Sequence, residues 1–241
     1  VIGAGIVGVC SALYLQAAGF TVTMYDKDGV SQGASKDNAG HFATEQIFPL
    51  ADFKLLPQLP KMMFDPLGPF RIKMSYFLRA LPWFLRFFTN MFPNNYQHNM
   101  QALKSLNEQS ISAYLPLITA GKLEHLFTRK GSLLVSEQLD SSSLKKVYQS
   151  FKVNGVAVEF LEQTKLLAIE PNLSKNVQWG IYFPEVGHTA DPELLCQQLF
   201  ELFCKQGGTF KKTSIDEVIQ TDQSVSLKAH NNTYHHRHVL V

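Results

Sequence analysis

The sequence predicts an α/β fold that opens with a βαβ unit, and three features near the N-terminus support this prediction. After an apolar start, residues 3–8 carry the spacing G-x-G-x-x-G. Residues 9–18 are rich in Ala and Leu and predict a helix that ends at Gly19, because glycine suits the left-handed conformation after a helix. Residues 20–25 then alternate in polarity, which predicts a strand ending at Asp26. A strand, a helix and a strand in this order predict parallel strands joined by a crossover helix.

The glycine pattern has a chemical meaning here, because each glycine meets a different need of a dinucleotide-binding turn. Gly3 permits the tight turn, Gly5 lets a pyrophosphate approach bare backbone, and Gly8 lets the helix pack closely on the strand. The free N–H groups and the dipole at the helix N-terminus favour an anion. Asp26 stands where an acid can accept hydrogen bonds from the adenosine ribose hydroxyls. The unit predicts a dinucleotide site but does not separate NAD from FAD.

Composition and charge exclude several other classes of protein. The 241 residues are 45% apolar and 17% charged, with a net charge of +2. The chain therefore has material for a core and no general attraction to nucleic acid. Its three cysteines form no CxxC pair, which favours reduced thiols and a cytoplasmic location over a disulfide framework. No apolar run reaches the roughly 20 residues that a membrane-spanning helix needs.

The loop after the βαβ unit adds two motifs, "GAS" at residues 33–35 and "NAG" at residues 38–40, in a small polar stretch that can wrap along a long cofactor. With the glycine pattern they resemble the FAD-dependent D-amino-acid oxidase superfamily. Within it, the sequence is most similar to the small subunit of D-amino-acid dehydrogenase and to related glycine/D-amino-acid deaminating oxidoreductases. "DPLGPFR" at 65–71, "LPWFLRF" at 81–87 and "EPNL" at 170–173 resemble segments of the same enzymes. The resemblance extends, more thinly, over the whole chain.

The resemblance implies FAD as cofactor and oxidative deamination of a D-amino acid or similar small amine by hydride transfer to the flavin N5, with a quinone or another electron acceptor. It also implies that the loop ending at His41 lies over the pyrophosphate and passes the isoalloxazine ring. A residue at the Val218 position offers its backbone to the adenine. No catalytic residue and no metal ligand is assigned, because family members bind the substrate carboxylate largely with residues from the second half of their chains. The expected cofactor-binding residues are Gly3, Ala4, Gly5, Ile6, Val7, Gly8, Asp26, Lys27, Ser35, Asn38, Ala39, Gly40, His41 and Val218.

Both ends of the sequence look cut, because Val1 stands only two residues before the glycine pattern and an apolar strand closes the chain at Val241. We expect an internal piece of a longer protein that, on its own, is inactive and holds FAD poorly. The predicted architecture is a Rossmann-like FAD-binding domain interleaved with a β-sheet substrate domain, truncated at both ends. Its expected segments are 1–50 (FAD-binding domain, first segment), 51–97 (apolar and basic helical insertion), 98–120 (FAD-domain helix), 121–186 (partial substrate domain) and 187–241 (FAD-binding domain, second segment).

The middle of the chain alternates helix and strand patterns. An apolar stripe predicts an amphipathic helix over residues 99–114. Apolar runs rich in Val, Ile and Phe predict strands, and a polar turn follows Ala168. The expected strands are 130–135, 155–161 and 179–184, with a helix over 144–153 and a turn over 168–173.

The last segment predicts a return to the cofactor domain. Asp191 can cap a helix, and Pro192 suits the first position of that helix. The two glycines at 207–208 are expected to end it. Residues 209–212 predict a short parallel strand beside the first two strands. The segments 217–219, 225–228, 233–234 and 239–241 are expected to form a three-stranded meander.

Residues 61–92 are apolar and basic, with five basic side chains against one acid. Pro82 is expected to split the stretch that starts at Ser75 into two short helices. An almost wholly apolar helix either packs on most sides or lies in an interface. Packing against the rest of a longer protein is the simpler interpretation. The alternative is peripheral contact with the anionic inner face of the plasma membrane, where the flavin would reduce a quinone. The basic residues are Lys61, Arg71, Lys73, Arg79 and Arg86.

Two groups of residues raise the question of a metal site. His235, His236 and His238 cluster in one strand, but no carboxylate or cysteine lies close by in sequence, so a solvated hairpin end is the preferred interpretation. Cys196 and Cys204 stand two helical turns apart and are expected to belong to the core.

Three alternative functions stay open. A sarcosine- or glycine-oxidase-like enzyme would share the fold and the cofactor but pass electrons to dioxygen. An NAD-dependent dehydrogenase would share only the βαβ unit, and the long excursion before residue 187 argues against it. A flavin-fold protein can also serve as an assembly subunit without turnover, and a colourless purified protein would favour that alternative.

Overall fold

The computed structural model describes residues 1–59, 62, 65 and 73–241. The described helices are α1 (Ile6–Ala17), α2 (Met74–Thr89), α3 (Pro93–Gly121), α4 (Ser142–Val153), α5 (Gln163–Ile169) and α6 (Pro192–Lys205), with 3-10 turns at Phe53–Gln58 and Glu124–Leu126. The described strands are β1 (Thr23–Asp26), β2 (His41–Phe42), β3 (Ser132–Ser136), β4 (Glu159–Glu162), β5 (Trp179–Phe183), β6 (Gly187–His188), β7 (Thr209–Lys212), β8 (Glu217–Gln220), β9 (Val225–Ala229) and β10 (Asn232–His236). This mixture confirms the predicted α/β class.

The chain divides into two compact units. One unit comprises Val1–Phe42 together with Ile111–Val241, and the other comprises Ala43–Ser110. The first unit contains the glycine pattern and all the strands named above. It is therefore formed by two stretches of chain that are far apart in sequence.

A small parallel sheet lies behind the glycine pattern. β1 and β7 pair in parallel along their whole lengths, with Asp26 opposite Lys212. On the other side of β1, Ile2 bridges to Tyr25, also in parallel. The strand predicted over residues 209–212 thus lies beside the first two strands, as expected from the sequence.

Helices α1 and α6 pack against the same core as this sheet. Met24 of β1 and Val9 of α1 are fully buried, and they share a cluster with Leu199 and Phe203 of α6. The ends of the helices agree with the sequence. Gly19 follows α1 with φ +87°, and Asp191 caps α6 by accepting the N–H of Leu194 at 2.8 Å.

The second sheet is an antiparallel meander in the order β10-β9-β8. Val225 and Leu227 of its central strand pack on the buried ring of Tyr25. The prediction that residues 239–241 belong to the meander is wrong. The carbonyl of Leu240 instead accepts the N–H of Ile2 at 2.8 Å, because a backbone donor beside the sheet needs an acceptor.

The third sheet has the order β3-β5-β4 and all its pairs are antiparallel. Ile181 and Phe183 of the central strand are buried in a cluster that includes Phe151 of α4. In a second buried cluster, Leu161 of β4 packs with Leu166 of α5. This sheet and its helices occupy the region that the sequence predicted as a substrate domain.

Two predictions in this region are only partly right. The strand expected over 155–161 begins at Glu159, since Gly155 has φ +78° and belongs to the turn that ends α4. Helix α5 was not predicted, because its seven residues are too few to show helical periodicity. It ends at Ile169 and therefore includes the first two residues of the turn predicted over 168–173.

In the second unit, the prediction that Pro82 splits the chain into two helices is wrong. Helix α2 runs through Pro82 without interruption. A proline removes one hydrogen bond of a helix, but its fixed φ remains helical, so a helix can continue with a local distortion. The helix predicted over 99–114 is also longer than expected, because α3 continues through Pro116.

Parts of the 61–92 stretch, including Lys61 and Arg71, lie outside the described residues. Most of the "DPLGPFR" motif at 65–71 does so as well. Among the residues that the structure describes, no helix is both long and apolar enough to cross a membrane.

Gly8 provides a test of the packing beneath the glycine pattern. A Cβ at Gly8 would lie 2.0 Å from the carbonyl oxygen of Gly3. We expect Gly8→Ala to lower the free energy of unfolding of the apoprotein by about 2–3 kcal/mol, since overpacking against backbone cannot be relieved by a side-chain rotation. Gly33→Ala is the control, because a Cβ at Gly33 meets nothing within 4 Å. Equal denaturant midpoints for the two variants would contradict the close packing.

Candidate dinucleotide-binding site

The glycine pattern forms a tight turn between the first residues and α1. Gly3 has φ +103°, a conformation that glycine adopts without strain, and its N–H donates to the carbonyl of Tyr25 at 2.7 Å. Gly5 is extended and precedes the first helical residue, Ile6. No side chain of Gly5 covers the helix N-terminus, and Val7 beside it is 77% exposed. Apart from the N–H of Ile6, which donates to Ser35, the first N–H groups of α1 therefore face a surface that an anion can reach.

The carboxylate of Asp26 organises the other side of this turn. Its Oδ2 accepts the N–H of Ala4 at 2.8 Å. Its Oδ1 accepts the N–H groups of Asp28 at 2.8 Å and Gly29 at 3.0 Å. A carboxylate offers about four lone-pair positions, so one position on Oδ2 stays open to a hydroxyl donor such as a ribose.

The charge state of Asp26 follows from the same contacts. Partial burial opposes the charged form, but the N–H groups of Ala4, Gly29 and Asp28, with the charge of Lys27, outweigh it and hold the pKa of Asp26 below its ordinary value. The group is therefore a carboxylate at neutral pH and acts only as an acceptor.

Ser35 of the "GAS" motif returns to the turn. Its Oγ accepts the N–H of Ile6 at 2.8 Å, and the side chain is 8% exposed. A Cβ at Gly5 would lie 3.1 Å from that oxygen. The loop thus closes over the glycine pattern, and the glycine at position 5 leaves room for it.

The "NAG" motif is fastened elsewhere in the same unit. Asn38 accepts the N–H of Gly40 at 2.7 Å through its own Oδ1. Gly40 has φ +65°, and a Cβ there would lie 2.0 Å from the carbonyl oxygen of Thr189. The N–H of Thr189 donates to the Gly40 carbonyl at 2.8 Å. Next along the chain, His41 pairs across β2 and β6 with His188, so this end of the loop is fixed to the segment that leads into α6.

The other predicted site residues make their contacts outside the glycine turn. Ala39 is exposed beside Asn38. Lys27 is exposed and forms an ion pair with Asp28 at 3.7 Å. Val218 lies in β8 opposite Leu227 and is 43% exposed. Direct contacts therefore join Gly3–Gly8, Asp26 and Ser35 to one another, whereas Lys27 and Val218 are not hydrogen-bonded to the turn.

Ser31 contacts the glycine turn, and sequence reasoning missed this residue. It is fully buried, and its N–H donates to the carbonyl of Ala4 at 2.9 Å. Its φ of +59° is unusual for a residue with a side chain. A serine in a sequence does not predict a left-handed backbone. The only signal was its position five residues after Asp26, in a loop that contains glycine.

The histidines of the last hairpin are engaged separately. The Nε2 of His236 lies 2.8 Å from the hydroxyl of Tyr25, and the Nδ1 of His235 lies 3.0 Å from the Oγ of Ser226. His236 is therefore partly buried against the sheet, whereas His235 and His238 are exposed, as expected for a solvated hairpin end. Among the described residues, no three His, Cys, Asp or Glu side chains group as metal ligands would. Cys196 is buried in the core, but Cys204 is exposed, so the expectation that both belong to the core holds for Cys196 alone.

The residues present suit a dinucleotide. The turn presents bare backbone and a helix N-terminus, as a pyrophosphate requires. The partly open carboxylate of Asp26 can accept a ribose hydroxyl. Glycine has no Cβ, so the backbone at position 5 is bare, and a Cβ there would lie against the Oγ of Ser35.

Two known proteins are similar to this chain in sequence. The chain is 28% identical over 195 residues to a D-amino-acid oxidase of Bradyrhizobium diazoefficiens, covering 80% of this chain and 46% of that protein. It is 28% identical over 234 residues to a D-amino acid dehydrogenase of Vibrio vulnificus, covering 94% of this chain and 56% of that protein. The chain thus spans about half the length of the curated relatives it matches.

Solved structures agree on the fold. Glycine oxidase from Bacillus cereus superposes with a TM-score of 0.60 at 17% identity, over 96% of this chain and 52% of that one. At this identity the similarity concerns the fold alone, and it confirms the predicted Rossmann-like architecture with an interleaved sheet. The model of the DAO family, described as FAD dependent oxidoreductase, matches residues 1–241. The resemblance and the FAD cofactor predicted from the glycine, "GAS" and "NAG" motifs are thereby confirmed, and the chain belongs to the DAO family of FAD-dependent oxidoreductases.

Proposed function

We propose that the protein containing this chain oxidatively deaminates a D-amino acid or a similar small amine and passes the electrons to a quinone. The observation that carries the proposal is the joined arrangement of the glycine turn, Asp26 and Ser35 in a chain that the family model matches from end to end. Bound FAD supplies an acceptor for the hydride of the substrate Cα–H.

The residues of this chain would hold the cofactor. The backbone of residues 3–8 binds the pyrophosphate, and Asp26 accepts from the ribose. The loop from Ser35 to His41 lines the cofactor beyond the pyrophosphate, with Lys27 and Val218 at its adenosine end. These assignments follow the order of the motifs along the chain. They are supported by the 2.8 Å bonds of Asp26 to Ala4 and of Ser35 to Ile6.

The substrate class rests on the relatives. Two relatives that are similar in sequence are named D-amino-acid oxidase and D-amino acid dehydrogenase. Both names imply a D-amino acid, but they differ in the electron acceptor. An oxidase that uses dioxygen is therefore the second candidate, and it is favoured by the name of the Bradyrhizobium protein.

Helix α2 supports a membrane location for the quinone reaction. Its apolar side chains are unusually open to solvent, with Leu78 78%, Trp83 57% and Leu85 60% exposed. Arg79 and Arg86 are exposed on the same helix. Aromatic and aliphatic side chains beside arginines suit the headgroup region of an anionic membrane. We infer that α2 lies in such an interface.

Asp26 tests the cofactor assignment. We expect Asp26→Asn to raise the dissociation constant of FAD at least about tenfold, because a hydrogen bond to a charged group contributes roughly 1.5–3 kcal/mol. Asparagine keeps the shape of the side chain and one carbonyl oxygen but offers fewer acceptor positions for the three N–H groups, so the unfolding midpoint of the variant is measured alongside its FAD affinity. Titration of the apoprotein with FAD, followed by flavin fluorescence, measures the constant.

The matched control for this variant is Asp28→Asn, which removes a neighbouring acid whose side chain is 62% exposed. Its FAD affinity should stay within about twofold of the parent, since the exposed ion pair of Asp28 with Lys27 contributes little. The assignment fails if Asp26→Asn binds FAD as the parent does, or if both variants lose affinity equally.

Substrate and acceptor are tested together on the FAD-loaded protein. We expect D-alanine to reduce a soluble quinone analogue without oxygen, and we expect L-alanine, glycine and sarcosine to react far more slowly. Rapid hydrogen peroxide formation in air, with no quinone reduction, would establish the oxidase instead. A flavin-loaded protein that turns over none of these substrates would rule out the enzymatic proposal and favour an assembly subunit.

Vesicle sedimentation tests the interface. Binding to phosphatidylglycerol vesicles should exceed binding to phosphatidylcholine vesicles and weaken with salt. Because each arginine near an anionic surface contributes about 1 kcal/mol, the double variant Arg79→Gln/Arg86→Gln should bind roughly thirtyfold more weakly. Arg129→Gln, at an exposed site in the other unit, should bind as the parent does. A parent protein that ignores anionic vesicles at low salt would exclude this role of α2.

A further inference from the structure

Ser31 adopts a backbone conformation that its side chain disfavours. Its φ is +59°, and the residue is completely buried. In this left-handed region a Cβ crowds the neighbouring carbonyl, so residues other than glycine, asparagine and aspartate seldom occur there. Such strain persists only where the surrounding structure imposes it, and it concentrates at functional sites.

The conformation directs the N–H of Ser31 at one acceptor, the carbonyl of Ala4, at 2.9 Å. Ala4 is the buried residue between Gly3 and Gly5 of the turn, and its own N–H donates to Asp26 at 2.8 Å. The two polar groups of Ala4 are thus held from two directions, by the carboxylate after β1 and by the backbone of Ser31.

Cys196 of α6 completes the surroundings of this carbonyl. Its Sγ lies 3.9 Å from the Ala4 oxygen, and the residue is fully buried. Burial raises the pKa of the Cys196 thiol, and a contact with the Ser31 hydroxyl only partly offsets this. The sulfur therefore stays protonated and acts as a weak donor.

The geometry of the peptide bond connects this carbonyl to the cofactor. The Ala4 carbonyl and the Gly5 N–H belong to one planar trans peptide group and point in opposite directions. Because Ser31 and Cys196 hold the carbonyl toward the buried side, the N–H of Gly5 must point away from it. Gly5 directly precedes the first helical residue, Ile6, so this N–H lies at the N-terminus of α1.

We propose that Ser31, supported by Cys196, is a positioning residue that orients the Gly5 N–H of the turn toward the pyrophosphate of the cofactor. The proposal rests on the proposed binding of FAD at this turn. It assigns the effect to the left-handed backbone of Ser31, which acts on the cofactor only through the Ala4–Gly5 peptide.

Two substitutions separate backbone conformation from side chain. Ser31→Gly keeps the N–H and accepts φ +59° without strain, whereas Ser31→Val keeps the N–H but strongly disfavours this φ. His230→Val is the matched control. His230 also has a positive φ of +52°, and its N–H also donates to one acceptor, Asp216, at 2.7 Å.

The first readout is FAD binding to the apoprotein, with phosphorus NMR of the bound pyrophosphate. We expect Ser31→Val to weaken FAD at least tenfold and to shift the pyrophosphate resonances. Ser31→Gly should bind within about twofold of the parent. His230→Val should lower the unfolding midpoint without changing FAD affinity or the phosphorus spectrum. If Ser31→Val does not fold, Ser31→Thr, which is also β-branched but keeps the hydroxyl, should show the same direction of change.

The second readout needs no cofactor and is the hydrogen exchange of the Gly5 amide in the apoprotein. Ser31→Val should change this exchange, and His230→Val should not. The proposal is overturned if Ser31→Val or Ser31→Thr binds FAD like the parent, if Ser31→Gly loses as much affinity, or if His230→Val does. A parent protein that binds no FAD would refute the proposed function, and the Gly5 exchange rates would then still decide whether Ser31 orients this peptide.

Discussion

The bond from the Ala4 N–H to the Asp26 carboxylate is the contact on which the cofactor end of the molecule depends. It joins the turn before α1 to the end of β1 at 2.8 Å. The same carboxylate holds the next loop through the N–H groups of Asp28 and Gly29. One charged side chain therefore fixes three backbone segments, and an acceptor with fewer lone pairs could not do so. The lowered pKa of Asp26 shows that these donors outweigh the unfavourable effect of partial burial.

The remaining contacts extend this frame along the loop. Ser35 returns to Ile6 at the start of α1. Lys36 forms an ion pair with Glu193 in the first turn of α6 at 3.8 Å, and Gly40 lies against Thr189 just before that helix. The loop is thus attached at its start to the first βαβ unit and at its end to the segment leading into α6. A loop that is fixed at both ends loses less conformational entropy on binding a ligand than a free loop does. This difference favours a preformed cofactor site.

The parts that the sequence predicted well are those with strong local signals. The glycine spacing, the cap at Asp191 and the glycine after α1 each have one dominant physical cause, and the structure agrees with all three. The errors have non-local causes. Residues 239–241 left the meander because Ile2, at the other end of the chain, offers a donor. Helix α2 continues through Pro82, although local rules predict a break. Ser31 gave no signal, because tertiary contacts impose its left-handed conformation. The site was therefore predictable in its motifs but not in the contacts that orient them.

The pairing of β1 with β7 has a consequence for how the protein is made. One edge of β1 faces the first residues of the chain, but the other edge pairs with residues 209–212. The pairing on that second edge has a high contact order, and its formation must wait for a long loop to close. During synthesis on the ribosome, the edge of β1 stays unpaired until most of the chain has emerged. An exposed strand edge of this kind invites pairing with other chains. The dinucleotide turn, which comes well before β7 in the sequence, is thus completed late, and the interval before β7 arrives is when the nascent chain is most exposed to aggregation and most in need of a chaperone.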